Sequence, residues 1–318
     1  MKAIKALIPA ALALGMVGAA QAQMVVYGLL DGSYGKSVAD DANNLKSDFH
    51  SGGDSDSGEG NSTSKFGLKG TTDVGSGIKA NFKLESGGIT SNGEVNPGGA
   101  FFNRQAWFGF SGSFGEVRLG RQDSVPFQTM IDFDFNGASN GVSALGYANA
   151  AIWGRGRQSR SLQYISPTLS GAKVQLGYTP EGNVAGNKAN GSAAVTYTIG
   201  PVAVAASFES KRTETSERFA SVAGTYDFGV AKVMLGYADG GKNAQARGIN
   251  AGVNVTVAGF NFGSLVAKNR DTKGLAYEVY GNKEVLKNTI AYVEVGHADE
   301  KAIGTAATGF AVGVIYIF

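Results

Sequence analysis

The chain contains no cysteine. A disulfide framework and thiolate chemistry are therefore excluded, and an exported chain of this size must find its stability elsewhere. Histidine occurs twice, at His50 and His297, which leaves little for imidazole catalysis. Proline is scarce, 6 residues in 318, yet helical periodicity is hard to find anywhere. No window after residue 22 approaches the roughly 20 apolar residues of a membrane-spanning helix. A surplus of charge is missing too, once the leader is set aside. Residues 1–22 read as a signal peptide: Lys2 and Lys5 make a basic start, Ala6 to Ala20 is an apolar run interrupted by Pro9, and Ala20-Gln21-Ala22 is an A-x-A cleavage site. Losing those two lysines turns 28 basic residues into 26, against 26 acidic ones. A nucleic-acid partner then has no electrostatic support.

What is present is glycine, 48 residues of it, and alternation. Ile78, Ala80, Phe82 and Leu84 alternate with Lys79, Asn81, Lys83 and Glu85, so one face is apolar and the other charged. Ala193, Val195, Tyr197 and Ile199 lead through Gly200-Pro201 into Val202, Val204, Ala206 and Phe208 with the same period. Pieces of about ten residues separated by turn chemistry are the pattern of a transmembrane barrel, and about sixteen of them can be traced, an even number as bacterial barrels require. A soluble sandwich gives a similar but shorter-stranded pattern. Tight connections such as Asp227-Phe228-Gly229 and Ala258-Gly259 alternate with longer polar ones such as Asp239 to Ala246, the asymmetry of periplasmic turns and external loops. The fold class expected is all-β: a transmembrane antiparallel β-barrel over residues 23–318, with a long third external loop folded into the lumen.

Charge sets the parity of each strand, because Arg or Lys on the lipid face near the midplane costs roughly 2–4 kcal/mol. Lys65 and Lys69 then point inward, with Phe66 and Leu68 outward. The same rule turns Arg104 inward together with Phe108 and Phe110, and Glu294 together with Tyr292. Tyr27, Tyr178, Tyr197, Tyr237 and Tyr316, near strand ends, fit an interfacial girdle.

One stretch breaks the period of two, Asp123 to Gly154. It holds Asp123, Asp132 and Asp134, the aromatics Phe127, Phe133, Phe135, Tyr147 and Trp153, and basic flanks with Arg118 and Arg121 before it and Arg155, Arg157 and Arg160 after it. Loops this long inside a compact domain are often functional. The polar segment Ser37 to Gly60 reads as a surface loop. Its Asp54-Ser55-Asp56-Ser57-Gly58 resembles the start of a calcium loop, but the glycine is one position early and Lys65 stands where the bidentate acid belongs, so no metal is expected.

Five pieces in order carry a resemblance that spans the chain: Val26-Tyr27-Gly28-Leu29-Leu30-Asp31, Ser64-Lys65-Phe66-Gly67-Leu68-Lys69-Gly70, Asn103-Arg104-Gln105-Ala106-Trp107-Phe108-Gly109, Phe114 to Gln122, and Val312 to Phe318. Together they resemble the Gram-negative general porins of the proteobacterial branch. The resemblance implies a sixteen-stranded homotrimer in outer-membrane lipid and lipopolysaccharide, whose third loop narrows the lumen and which passes ions and small hydrophilic solutes without a cofactor. It implies a basic wall of Lys65 and Arg104, with Arg155 or Arg157 just after the loop and Arg121 as a fifth base. It implies loop acids at Asp132 and Asp134, with Asp123 a third or only an anchor, which Arg121 could pair at the loop base. Phe318 would be the signal read by the barrel-assembly machinery. Two departures are Pro126-Phe127-Gln128, where many relatives carry an acid beside the proline, and Lys65, where the wall is usually arginine.

Opposed charges across a narrow water-filled hole with low-dielectric walls create a focused field. The surplus of candidate bases predicts weak to moderate anion preference. The alternatives are an outer-membrane enzyme, which would need a nucleophile with a positioned base and has only His50 and His297 in predicted external loops, and an adhesive barrel or lectin-like sandwich.

Overall fold

The computed structural model describes residues 23–52, 60–138, 140–182, 185–241 and 246–318. The expected leader and the calcium-loop-like Asp54 to Gly58 lie outside the described residues. The alternating segments form strands β1 (Gln23–Lys36), β2 (Asp48–Ser51), β3 (Lys65–Gly75), β4 (Ile78–Gly87), β5 (Gln105–Gly112), β6 (Gly115–Asp123), β7 (Arg157–Ile165), β8 (Ala172–Thr179), β9 (Asn190–Ile199), β10 (Val202–Glu209), β11 (Phe219–Asp227), β12 (Ala231–Asp239), β13 (Arg247–Val257), β14 (Phe260–Asn269), β15 (Leu275–Leu286), β16 (Thr289–Ala298) and β17 (Ala307–Ile317). Strand β2 is a four-residue flap on β1. The other sixteen pair antiparallel in chain order, with β1 bridging β2's neighbour β3 and the last strand β17, so the sheet closes on itself. Gly28 and Phe318 complete the seam, each backbone N–H donating to the other's carbonyl at 2.9 and 3.1 Å.

The wall wears its apolar residues outside. Leu235, Ile249, Phe262, Val266 and Val279 are exposed, while Gln163, Gln175, Asn250, Glu278 and Glu294 are buried on the opposite face. A soluble sandwich buries its apolar face, so this inversion requires lipid as the outer solvent. No helix among the described residues is long and apolar enough to cross a membrane.

The expected parity of β5 is corrected. Phe108 and Phe110 are exposed on the outer face and Trp107 is buried on the inner one. Arg104 precedes the strand, so its direction does not propagate along the alternation. Tyr292 and Glu294 do share the inner face. The tyrosine is satisfied there, donating its hydroxyl to Asp31 Oδ1 at 2.7 Å.

Between β6 and β7 the chain leaves the sheet. Ser124 caps helix α2 (Val125–Met130) by accepting from Phe127 N, with proline at the start of the helix, where its missing N–H is not needed. A 3-10 turn, Ile131–Phe133, and a one-turn helix α3 (Ala144–Tyr147) follow. Shorter helices α1 (Val38–Ala42) and α4 (Glu300–Ile303) lie in the first and last long connections. Met130, Phe133, Leu145, Ile152 and Trp153 are buried. They are joined in one apolar cluster with small wall residues such as Ala205, Ala223 and Ala267.

Glycines on the buried face of the wall allow this approach. A Cβ at Gly296 would stand 2.7 Å from Val142 Cβ and 2.3 Å from its carbonyl oxygen, and one at Gly236 would stand 3.0 Å from Ile152 Cγ2. Gly296→Val should therefore overpack the contact at a cost of about 1–3 kcal/mol. The expected result is a lower temperature for the heat-induced shift in SDS gel migration, with Gly191→Ala, whose added Cβ meets nothing within 4 Å, unchanged.

Candidate functional site

One side of the barrel gathers bases. Glu85 on β4 is buried at their centre. Arg104 Nε donates to its Oε1 at 2.7 Å, and Lys83 Nζ lies 3.4 Å from Oε2. Tyr27 is corrected from the interfacial girdle to this inner cluster, because its hydroxyl donates to Glu85 Oε2 at 2.7 Å. Lys65, the first residue of β3, is within electrostatic reach of Arg104, Lys83 and Arg157. Arg157 opens β7, with Nε 3.4 Å from Asp123 Oδ1, and feels Arg104, Glu85 and Arg121 as well. Lys65, Arg104 and Arg157 are thus brought together, with Glu85 and Asp123 as the close acids among the described residues.

The bases continue toward the end of the barrel that carries the tight turns. Lys69 and Lys83 sit over the Tyr27 ring at 5.1 and 5.4 Å, and Arg118 lies 4.4 Å over Trp107 while donating to Glu116 at 2.7 Å. A cavity of about 830 Å³ opens there, lined by Lys69, Lys79, Lys83, Trp107 and Glu116 among others. Lys83, Glu85 and Arg118 are functional candidates that motif reasoning passed over. The signal for Lys83 and Glu85 lies in the charged face of Lys79, Asn81, Lys83 and Glu85, and that for Arg118 in the basic flank of the long stretch.

Two expected bases stand elsewhere. Arg121 pairs across the ladder with Ala106, next to the Leu119 and Phe108 pair, so it shares the outward face. Its guanidinium donates to Asn103 O at 2.6 Å and Ser159 Oγ at 2.7 Å. Arg155 lies by the β10–β11 connection, where burial and then the neighbouring Arg212 hold its pKa below the usual arginine range.

The loop acids also separate. Asp132 is exposed and has no ion pair among the described residues. Asp134 is buried away from the basic side, its Oδ1 accepting from Asn136 N at 3.2 Å. The reason is the 3-10 turn, which sends neighbouring side chains to opposite environments. Asp134 lies within electrostatic reach of Glu278 on β15, and the network there is held by amides. Asn136 Nδ2 donates to Glu294 Oε2 at 3.1 Å and to Glu278 Oε2 at 3.4 Å, and Asn61 Nδ2 donates to Glu294 Oε2 at 2.8 Å and Asn136 Oδ1 at 2.9 Å. Farther along, Tyr280 OH donates to Phe135 O at 3.0 Å, Asn250 Nδ2 to Ala150 O at 3.0 Å and Asn269 Nδ2 to Asn149 O at 2.9 Å. The stretch that leaves at β6 is thus tied to β13, β14, β15 and β16. Asp123 anchors its base, since the backbone carbonyl accepts from Gln128 and Gln163 at 2.7 and 2.8 Å.

A closed antiparallel wall with a lipid-type exterior and a charged interior defines an integral outer-membrane channel barrel. The family profile described as Gram-negative porin matches residues 9–316. The chain belongs to that family. It is 33% identical over 266 residues to an outer membrane porin protein of Bordetella pertussis, covering 74% of this chain and 69% of that one. It is 32% identical over 191 residues to outer membrane porin protein 32 of Delftia acidovorans, 55% of this chain and 53% of that one. Among solved structures, an anion-selective porin from Comamonas acidovorans superposes with a TM-score of 0.74 at 22% identity, over 94% of this chain and all of that one. A mutant of the Rh. blastica porin gives 0.72 at 15%.

Burial raises the Asp134 carboxyl from its ordinary 3.8 to about 7. Below pH 4 it is protonated in both folded and unfolded chains and contributes nothing. Between pH 4 and 7 the unfolded chain releases this proton and the folded one keeps it, so stability falls as pH rises and the full penalty is present above pH 7. Asp134→Asn should accordingly raise the thermal unfolding temperature at pH 8 and leave it nearly unchanged at pH 4, read by the loss of β-sheet circular dichroism on heating.

Proposed function

We propose that the protein is a passive, weakly to moderately anion-preferring pore, with residues 124–156 folded into the lumen to form its constriction. The observation that carries the reading is the cluster of Lys65, Lys83, Arg104 and Arg157 around Glu85 and Asp123, more bases than acids on one side of a water-filled passage. Contacts of the stretch with the buried faces of β13–β16 support the inward course. In a narrow hole with low-dielectric walls, uncompensated positive charge concentrates anions and raises the barrier to cations. The anion-selective title of the Comamonas acidovorans porin agrees in sign. Asp132, exposed on the stretch, is the acid left to face the bases, whereas Asp134 serves as a buried anchor. Arg157 rather than Arg155 belongs to the basic wall. A cleaved leader at residues 1–22, a homotrimeric state, insertion among lipopolysaccharide and recognition of Phe318 by the assembly machinery complete the reading.

No enzymatic role is proposed. His297 Nδ1 is 2.8 Å from the Thr308 hydroxyl, but nearby Asp41 is already paired with Lys36 and accepts from Thr308 N at 2.8 Å. His50 Nε2 meets the Gly35 carbonyl at 3.2 Å. Neither arrangement gives a base free to activate a nucleophile.

Reversal potentials in a salt gradient across planar bilayers test the sign. The unmodified pore should favour chloride over potassium, and Arg104→Ala with Arg157→Ala should move the ratio toward potassium by severalfold with little change in conductance. Clear cation selectivity of the unmodified pore would overturn the proposal.

A further inference from the structure

A second cavity, of about 250 Å³, lies at the external end, between residues 151–155 of the long stretch, the β10–β11 connection and residues Gly240 and Ala246. It shares no lining residue with the basic wall around Glu85, and Arg212 links the two by donating to Arg157 O at 3.0 Å. Two carboxylates border it and both are occupied. Arg212 grips Glu209 with two nitrogens, Nη2 to Oε2 at 2.6 Å and Nε to Oε1, and Lys211 Nζ lies 3.7 Å from Glu217 Oε2. Two guanidinium groups border it as well, Arg155 and Arg218, and neither has an ion pair among the described residues. Arg155 is half-buried, repelled by Arg212 and attracted by Glu209, while Arg218 is exposed at the rim. Glu209 is already gripped by Arg212, so the partly desolvated Arg155 is only partly compensated, and an incoming anion offsets the remaining cost.

The remaining wall is apolar. Ala151, Phe219 and Ala246 line it, and the Phe219 ring lies against Gly154, where an added Cβ would stand 2.9 Å from Cε1. The volume is below the roughly 300–1,000 Å³ typical of sites for drug-sized ligands, so the occupant is small. A doubly charged ion such as phosphate would leave the aromatic wall unused and bring more negative charge toward Glu209 and Glu217.

We propose that this cavity is a capture site for a small organic monocarboxylate with a flat apolar body, of the benzoate type, its carboxylate between Arg155 and Arg218 and its ring against Phe219. The inference rests on the channel reading only for its role as an entry site. Charge-assisted hydrogen bonds from guanidinium to carboxylate supply orientation, and the ring contact adds an apolar contribution that inorganic anions lack.

Isothermal titration of the full chain in detergent, with sodium benzoate and with inorganic phosphate at matched ionic strength, tests the site. Saturable benzoate binding is expected, weakened about tenfold by Arg218→Gln and by Phe219→Ala, partly retained by Arg218→Lys and not competed by phosphate. Heat-modifiable gel migration verifies that each variant is a folded barrel. Absence of saturable benzoate binding, an Arg218→Gln variant that binds as the parent does, or phosphate binding as tight as benzoate would each overturn the site. Reversal potentials on the same preparations keep the two readings apart: a cation-selective pore that still binds benzoate removes the proposed selectivity alone, and an anion-selective pore without benzoate binding removes this site alone.

Discussion

Closure of the sheet is the constraint on which the rest depends. In hydrocarbon no water can satisfy a free strand edge, and the pairing of β1 with β17, finished by the reciprocal Gly28 and Phe318 bonds, removes the edge. Once the wall is closed, the period of two sorts every strand into a lipid side and an inner side. Leucine, isoleucine and valine can then be exposed and glutamate and glutamine buried without contradiction. Closure also makes position 318 structural, since its backbone is part of the seam.

A closed wall alone would enclose a wide hole. What shapes its interior is a polar network beside the apolar cluster of Met130, Phe133, Leu145, Ile152 and Trp153. Asn61 and Asn136 bridge the carboxylates of Glu278 and Glu294, and Asn250 and Asn269 hold the backbone of residues 149 and 150. Acids crowded on this side and bases crowded around Glu85 divide the interior electrostatically. The carboxylates on the acid side accept hydrogen bonds from the anchoring amides, and Asp134 is neutral over much of the acidic range. The basic side holds more bases than acids among the described residues.

Much of the barrel was legible in the sequence, because alternation is local: Ile78 to Glu85 shows both faces within eight residues. The strand count was also recoverable from turn chemistry. Where local reading failed, the deciding contact was distant. Alternation turns Phe108 and Phe110 inward with Arg104, whereas Arg104 stands in the connection before β5 and is held by Glu85 of the neighbouring strand. Asp132 and Asp134 look equivalent along the chain, and only the 3-10 turn and the amide network separate them. Asn61 and Asn136 carried no signal at all, since asparagine is ordinary in loops and their partners lie more than a hundred residues away on β15 and β16.

The inward course of residues 124–156 is the claim on which pore size and selectivity both rest, and the absence of cysteine allows a direct measurement. Cysteines placed at Ile152 and Gly236, where an added Cβ comes within 3.0 Å of the isoleucine Cγ2, can be oxidised in membranes. Ready disulfide formation with unchanged single-channel conductance is the predicted result, because the bond would join surfaces already in contact. Thiols that stay unlinked while both remain open to a membrane-impermeant reagent would contradict it.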